Sequence, residues 1–150
     1  QRRAAADAAP AVQGLTEITF ERGPCYGTCP VYKLRIGGDG SVEFEGLRFV
    51  ARMGKVNDTL PRDSVKALAD AFDGAGFSAL ADRYVEGEPA CGAAHTDAPT
   101  MITSITIQGK TKRVEHYRGC SGAPPQLTVL ENRIDETVRV ARWTKSGGSQ

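Results

Sequence analysis

The sequence predicts an α+β domain: an antiparallel sheet of about six strands with two helices packed on one face. Segments in which apolar and polar residues alternate, as they do in half-buried strands, occupy much of the first third of the chain and recur after residue 100. Two other segments carry apolar residues at helical spacing, and each follows a proline suited to a helix start. The predicted order is ββββ-α-ββ-α, and strands grouped in this way favour an antiparallel sheet.

The first four predicted strands occupy the segment before residue 60. Alternation over residues 18–21 and 32–36 predicts two strands that flank a cysteine-containing turn. Residues 37–40, Gly-Gly-Asp-Gly, predict a hairpin turn, because Asp-Gly tolerates the positive φ angles of tight turns. The return strand covers residues 41–45 and is expected to end at the next glycine. A fourth strand is expected from Leu47 to about Val56.

Two helices and a second hairpin complete the predicted domain. The first helix starts after Pro61 and the second at Pro124-Pro125, where a missing N–H is tolerated. Between them, residues 77–99 are irregular and rich in glycine and proline, which is typical of a functional or disulfide-closed loop. Residues 101–107 and 114–117 form the hairpin. The apolar helix faces consist of Val65, Leu68, Ala69 and Phe72, and of Leu127, Leu130, Ile134, Val138 and Ala141.

Length and composition indicate one ordinary globular domain of 150 residues. We expect residues 1–13 to be a flexible tether, residues 14–145 to be the domain and residues 146–150 to be a flexible tail. The net charge of +1 gives no electrostatic case for nucleic acid or an anionic membrane, and no apolar run approaches the roughly 20 residues needed to span a bilayer. Because the chain opens at Gln1, a signal peptide or lipid anchor upstream is compatible with it.

The four cysteines allow three disulfide connectivities. The simplest pairs Cys25 with Cys29, which are close in sequence, and Cys91 with Cys120, which flank the second hairpin. The longer of these loops would contribute more to stability than the shorter one. An even number of cysteines is consistent with an oxidising compartment.

Residues 18–32 resemble the signature of an uncharacterised bacterial family of domains of unknown function. Their central part reads Gly-Pro-Cys-x-Gly-x-Cys-Pro, and residues 38–40, 61–77 and 96–103 match the same pattern. Members are often found in proteins that look exported or lipoprotein-like. The resemblance implies an extracytoplasmic α+β domain, in the periplasm or cell envelope of a bacterium, and implies no activity. Cys91 and Cys120 look like an addition to the family pattern.

The residues around the first cysteine pair leave three interpretations open. A structural disulfide is favoured, because Gly27 lets a short ring bend and the flanking prolines set the directions of the two strands. A redox pair made of Cys25 and Cys29 is the alternative, although redox motifs commonly have two intervening residues and lie at a helix N-terminus. A zinc site would need a second close pair of ligands, which the other two cysteines do not supply. We therefore predict no metal and no cofactor.

Two histidines and one aspartate are considered for catalysis. His95 and Asp97 near a cysteine would suit a Cys-His-Asp nucleophile, but an exposed loop histidine and a turn-forming aspartate explain them without chemistry. His116 shares its strand face with Val114, so we expect a core-edge histidine with a hydrogen-bond partner. The sequence assigns no catalytic residue.

The sequence therefore favours a non-enzymatic, extracytoplasmic, disulfide-stabilised domain that binds or supports a macromolecular partner in the cell envelope. A thiol–disulfide redox protein is the alternative. The partner is not expected to be nucleic acid, and the sequence does not specify the ligand or the oligomeric state. The candidate binding surface consists of Tyr26, Arg83, Tyr84, His95 and Asp97.

Overall fold

A computed structural model describes residues 12–145 of the chain. All but the last two residues of the predicted tether, and the whole predicted tail, lie outside the described residues. Within them, no helix has the length and apolarity that a membrane crossing requires. The elements are β1 (Leu15–Arg22), β2 (Val31–Gly37), β3 (Ser41–Arg48), β4 (Gly54–Thr59), α1 (Arg62–Gly74), β5 (Arg83–Tyr84), β6 (Thr100–Ile107), β7 (Lys110–Tyr117), α2 (Pro125–Val138) and α3 (Ala141–Thr144).

The seven strands form one sheet in the order β4-β3-β2-β1-β6-β7-β5. Every neighbouring pair is antiparallel except β5 and β7, which run parallel. The register places Ile18 beside Ile36 and Phe20 beside Leu34, so the apolar residues of adjacent strands share one face. Helices α1 and α2 contact each other, and their apolar faces join the same core. The two main helices therefore cover one face, as the sequence predicts, while the other face is polar.

The strand count and the bounds of the fourth strand differ from the prediction. Strand β3 continues through Gly46 to Arg48, and β4 begins only at Gly54. A side chain at Gly46 would collide with the carbonyl of Arg52, because the intervening loop folds back over the strand. This glycine therefore permits a close approach instead of ending the strand. The seventh strand, β5, has two residues and lies in the segment predicted to be irregular.

The last predicted helix is interrupted. Helix α2 ends at Val138, and Arg139 takes a left-handed conformation with φ of 63°. The expectation that Ala141 shares the apolar face of this helix is wrong, because Ala141 belongs to α3 and is exposed. The turn instead brings Trp143 into the core, where its ring centroid lies 4.9 Å from that of Phe44.

The loops of functional interest lie together at one end of the strands. The end of β1 pairs with the starts of β2 and β6, and the start of β6 pairs with the end of β7. The end of β3 also meets the start of β2, and β5 runs parallel to β7. The loops 23–30, 49–53, 85–99 and 118–124 therefore all lie at this end of the strands, which we call the upper edge. Helix α2 begins here as well, directly after the last of these loops.

Candidate functional site

The loop 23–30 forms a covalently closed projection at the upper edge. Cys25 and Cys29 are bonded, with Cα atoms 5.7 Å apart. Gly27 has φ of 136°, a backbone conformation open to glycine, and it completes the short ring. Tyr26 lies at the tip with 85% of its surface exposed. At the start of the loop, the N–H of Gly23 donates to the carbonyl of Thr100 at 2.9 Å.

The base of this loop is held by three polar side chains. Arg22 ends β1 and Tyr32 lies at the start of β2, so they flank the loop, while Asp135 reaches them from α2. The Tyr32 hydroxyl donates to Asp135 Oδ1 at 2.6 Å. Arg22 Nε and Nη2 lie 2.8 and 2.7 Å from Asp135 Oδ2. The loop is therefore closed by its disulfide and also fastened to the helix at both of its strand ends.

Burial sets the electrostatics of this base. It raises the pKa of the Tyr32 hydroxyl, and the nearby Asp135 carboxylate raises that pKa further, so the hydroxyl remains a donor. Burial also raises the pKa of the Asp135 carboxyl, against the lowering effect of the Arg22 guanidinium and the Tyr32 hydroxyl. An ion pair in such a position adds little net stability, because the loss of hydration offsets the attraction between the charges.

A second polar cluster lies under the end of β7. Glu131 is fully buried although it belongs to the apolar side of α2. One of its oxygens lies 2.6 Å from His116 Nδ1. Its other oxygen accepts from Arg118 Nε at 3.1 Å and from Nη2 at 2.9 Å. This cluster fastens β7 to the same helix.

Asn132 joins the two clusters. Its Oδ1 accepts from Arg22 Nη2 at 3.2 Å and from Arg118 Nη2 at 3.1 Å. One continuous set of hydrogen bonds therefore runs along α2 beneath the upper edge. We call this set the α2 polar network; its members are Arg22, Tyr32, His116, Arg118, Glu131, Asn132 and Asp135.

The second disulfide lies at the far end of this network. Cys91 and Cys120 are bonded and both side chains are buried. The N–H of Gly122 donates to the carbonyl of Cys91 at 2.7 Å, and the N–H of His95 donates to the carbonyl of Gly119 at 3.1 Å. The irregular segment 85–99 is therefore tied to the end of the second hairpin by one covalent bond and several backbone bonds.

The structure separates the predicted surface residues. Tyr26, His95 and Asp97 are exposed, on two different loops. Arg83 is exposed and lies 3.4 Å from Glu115. Tyr84 is the exception: only 6% of its surface is exposed, and its hydroxyl accepts from the N–H of Ala81 at 3.0 Å. The inclusion of Tyr84 in a binding surface is therefore corrected, because pairing with β7 turns its ring into the core.

The structure also bears on the nucleophile, the metal site and the core-edge histidine that the sequence raised. All four cysteines are bonded, so no thiol faces His95, and the Cys-His-Asp interpretation has no nucleophile. Across residues 12–145, no three or more His, Cys, Asp or Glu side chains come together as metal ligands. His116 lies in the core-edge position that its strand parity predicts, and its partner is Glu131.

Sequence reasoning missed most of the α2 polar network. Two signals were present. Arg22 has the same strand parity as Ile18 and Phe20, which places it on the inward face. Glu131 lies among the apolar positions of the last helix, where a carboxylate needs a buried partner. No sequence pattern indicated that Arg22 contacts the helix that carries Glu131.

The chain belongs to a family described as a domain of unknown function (DUF6438). The family pattern matches residues 16–138, which is more than four fifths of the 150 residues. The match includes both disulfides and the whole α2 polar network. Comparison with curated proteins finds no match to the chain.

Proposed function

We propose that this member of a family of unknown function is a non-enzymatic, extracytoplasmic binding domain whose disulfide-closed loop around Tyr26 contacts a macromolecular partner in the cell envelope. One observation carries the proposal. The most exposed large apolar side chain of residues 12–145 is the ring of Tyr26, and it lies on a loop that a disulfide and the Arg22–Tyr32–Asp135 cluster both restrain.

Restraint of this kind favours binding. Ordering a loop during association reduces affinity, and a loop that is ordered beforehand avoids that cost. Tyrosine suits such a position, because its ring offers a large contact area with few rotatable bonds and its hydroxyl can hydrogen-bond. A tyrosine that is exposed to this extent adds little to folding, so the restraint around it is better explained by recognition.

The proposed location rests on the disulfides. Structural disulfides persist in oxidising compartments and are rare where thiols are kept reduced. Both disulfide pairs are compatible with a location outside the cytoplasm, as is the resemblance to exported proteins. An upstream signal peptide or lipid anchor would complete this proposal.

A thiol–disulfide exchange protein is the second candidate, and solvent access favours it. Cys25 and Cys29 are half-buried at the surface, whereas Cys91 and Cys120 are buried. A thiolate on a partner protein could attack one sulfur of this half-buried pair, form a mixed disulfide and release the other sulfur as a thiolate. A second thiolate on the partner would then resolve the mixed disulfide, leaving the pair reduced and the partner oxidised.

Partner capture with matched variants tests the first proposal. The oxidised full chain is immobilised and exposed to envelope extract, beside Tyr26→Ala and the control Val129→Ala, whose side chain is 66% exposed on α2. We expect one or a few proteins to bind the wild type and the control, and Tyr26→Ala to retain less than a tenth of them, as for an interface hot spot. Equal capture by all three chains would contradict the proposal.

A redox titration tests the second candidate. If Cys25–Cys29 works by exchange, it opens at mild glutathione potentials while the domain stays folded, and the chain then catalyses insulin reduction. A structural disulfide resists reduction until the potential falls below about −300 mV. Catalysis that persists in Cys25→Ser would exclude this pair as its source.

A further inference from the structure

Exposed apolar side chains are concentrated at the upper edge. Residues 12–145 contain five large apolar side chains that are exposed, and four of them belong to loops or strand ends at this edge. Three lie within one segment of seven residues, 47–53, at the end of β3 and in the loop that follows. They are Leu47, Phe49, which is 47% exposed, and Met53, which is 58% exposed. The fifth, Val129, lies apart on α2.

The backbone holds this segment in a defined shape. Phe49 has φ of 55°, a left-handed conformation that is unusual for a bulky side chain and costs free energy. The N–H of Arg52 donates to the carbonyl of Trp143 at 2.8 Å, and Gly46 leaves room for the loop to fold back. An aromatic side chain in a strained conformation, exposed on a fastened loop, is poorly explained by folding alone.

Two arginines alternate with the apolar residues. The guanidinium of Arg48 lies over the Phe49 ring, 5.0 Å from its centroid. Among the described residues, neither Arg48 nor Arg52 has a carboxylate within ion-pair distance. The carboxylate nearest in sequence belongs to Glu45, and it lies opposite Lys33 and Lys55 in the sheet register. The segment therefore combines apolar surface with unneutralised positive charge.

We propose that the segment 47–53 docks on the surface of a lipid bilayer that contains anionic lipids. Phe49 and Met53 enter the boundary between headgroups and acyl chains, where Leu47 adds apolar contact. Arg48 and Arg52 bind the anionic headgroups. This combination of apolar and cationic side chains is the one that peripheral proteins present to membranes. The net charge of +1 does not reveal this cationic segment, because its positive charge is local and is balanced elsewhere in the chain.

The segment is better suited to a bilayer than to a partner peptide that occupies the neighbouring groove of this domain. An apolar groove of about 310 Å³ lies beside the segment on the polar face of the sheet, and Pro24, Val31 and Ile102 line it together with Leu47. Phe49 and Met53 do not line this groove. Both side chains are exposed on the loop, where another phase can reach them. The proposal goes beyond the recognition role proposed for Tyr26 and does not depend on it.

Co-sedimentation with vesicles tests the proposal. The oxidised full chain is mixed with vesicles of phosphatidylcholine alone or with a third of phosphatidylglycerol. We expect binding to the anionic vesicles that weakens as salt is raised, and at least tenfold weaker binding without the anionic lipid. Phe49→Asn with Met53→Ser, and separately Arg48→Gln with Arg52→Gln, should each weaken binding at least tenfold. Val129→Ser should bind as the wild type does.

The variants are chosen so that unfolding does not imitate a loss of binding. Asparagine tolerates a left-handed backbone, so Phe49→Asn should keep the loop and the melting temperature. No sedimentation of the wild type, equal binding to neutral vesicles, or full binding by both double variants would each overturn the proposal. The proposal would also be overturned if the chain did not bind vesicles but captured a protein through Phe49 and Met53. That result would identify a protein as the occupant.

Discussion

The two disulfide-closed loops of the upper edge are built differently. Cys25 and Cys29 are four positions apart, are half-buried, and close an exposed turn between adjacent strands. Cys91 and Cys120 are 29 positions apart, are buried, and connect an irregular segment to the end of a hairpin. Each loop lies over one end of the α2 polar network. Beneath the first, Asp135 is partly exposed, and beneath the second, Glu131 is fully buried.

The difference separates local shape from global stability. In the loop-entropy model, a cross-link over 29 positions stabilises the fold by about 3–4 kcal/mol, and one over four positions by about 2 kcal/mol. The second disulfide therefore serves mainly to stabilise the domain. The first serves mainly to hold Tyr26 in position, and it lies in the loop to which we assign recognition.

Removing the buried carboxylate should have the largest effect. Glu131→Ala removes the buried partner of His116 and leaves Arg118 with Asn132 alone, and we expect the free energy of unfolding to fall by about 3–5 kcal/mol. Urea denaturation measures this change. Glu136→Ala, an exposed position on the same helix, is the control and should change stability by less than about 0.5 kcal/mol. A loss below 1 kcal/mol for Glu131→Ala would show that the second cluster is not a stability element.

Opening the second disulfide should come next. Cys91→Ala with Cys120→Ala should lower the free energy of unfolding by about 3–4 kcal/mol, because the unfolded chain regains the freedom of a long loop. Denaturant unfolding under oxidising conditions gives the value. The comparison between the loops fails if this variant is more stable than the one with the first disulfide removed.

Opening the first disulfide should have a smaller effect on folding. Cys25→Ala with Cys29→Ala should cost about 2 kcal/mol and leave the near-UV circular dichroism of the core unchanged. Hydrogen exchange should increase within residues 23–30 and remain as in the wild type along α2. Increased exchange over the whole sheet would mean that this ring also supports the global fold.

The hydroxyl groups beneath the loops allow a finer comparison. Tyr32→Phe removes a buried donor to Asp135 and should cost about 1–2 kcal/mol. Tyr117→Phe removes a bond from its hydroxyl to the exposed carbonyl of His95 and should cost less, since water can replace that donor. Thermal or urea unfolding of both variants decides the order. Equal losses would indicate that the first loop is not fastened through Tyr32.

The smallest effect concerns pH and has a definite sign. Burial raises the pKa of Asp135 above its ordinary value of 3.8, so its contribution to stability is largest below that value and is lost as pH rises through the folded pKa. A hydrogen bond from Arg142, followed by one from the backbone of Thr59, lowers the pKa of Asp58, whose contribution is lost as pH falls. Relative to the wild type, the stability lost in Asp135→Asn should therefore be larger at pH 3 than at pH 7. The stability lost in Asp58→Asn should be larger at pH 7 than at pH 3. The same pH trend in both variants would refute this assignment.

Much of the fold was predictable because it depends on local periodicity. Alternation along residues 18–21 and 32–36 specifies which residues face the core wherever the strands pair, and helical spacing does the same for α1. The two-residue strand β5 is too short for any period to be read, so the sequence predicts that Tyr84 lies in an irregular loop. The turn at Arg139 carries no glycine, so the break after α2 was not foreseen.

The sequence by itself determined the fold class, the inward and outward faces of most elements, and two cysteine pairs that the structure joins in the simplest connectivity. Only the tertiary structure decided that Arg22 reaches the helix that carries Glu131 and Asp135, and that Phe49 is exposed beside the guanidinium of Arg48. The reason is physical. Periodicity is a property of one segment, whereas a polar contact between a strand end and α2, over 13 to 113 positions, depends on how the helix crosses the sheet, which no single segment encodes.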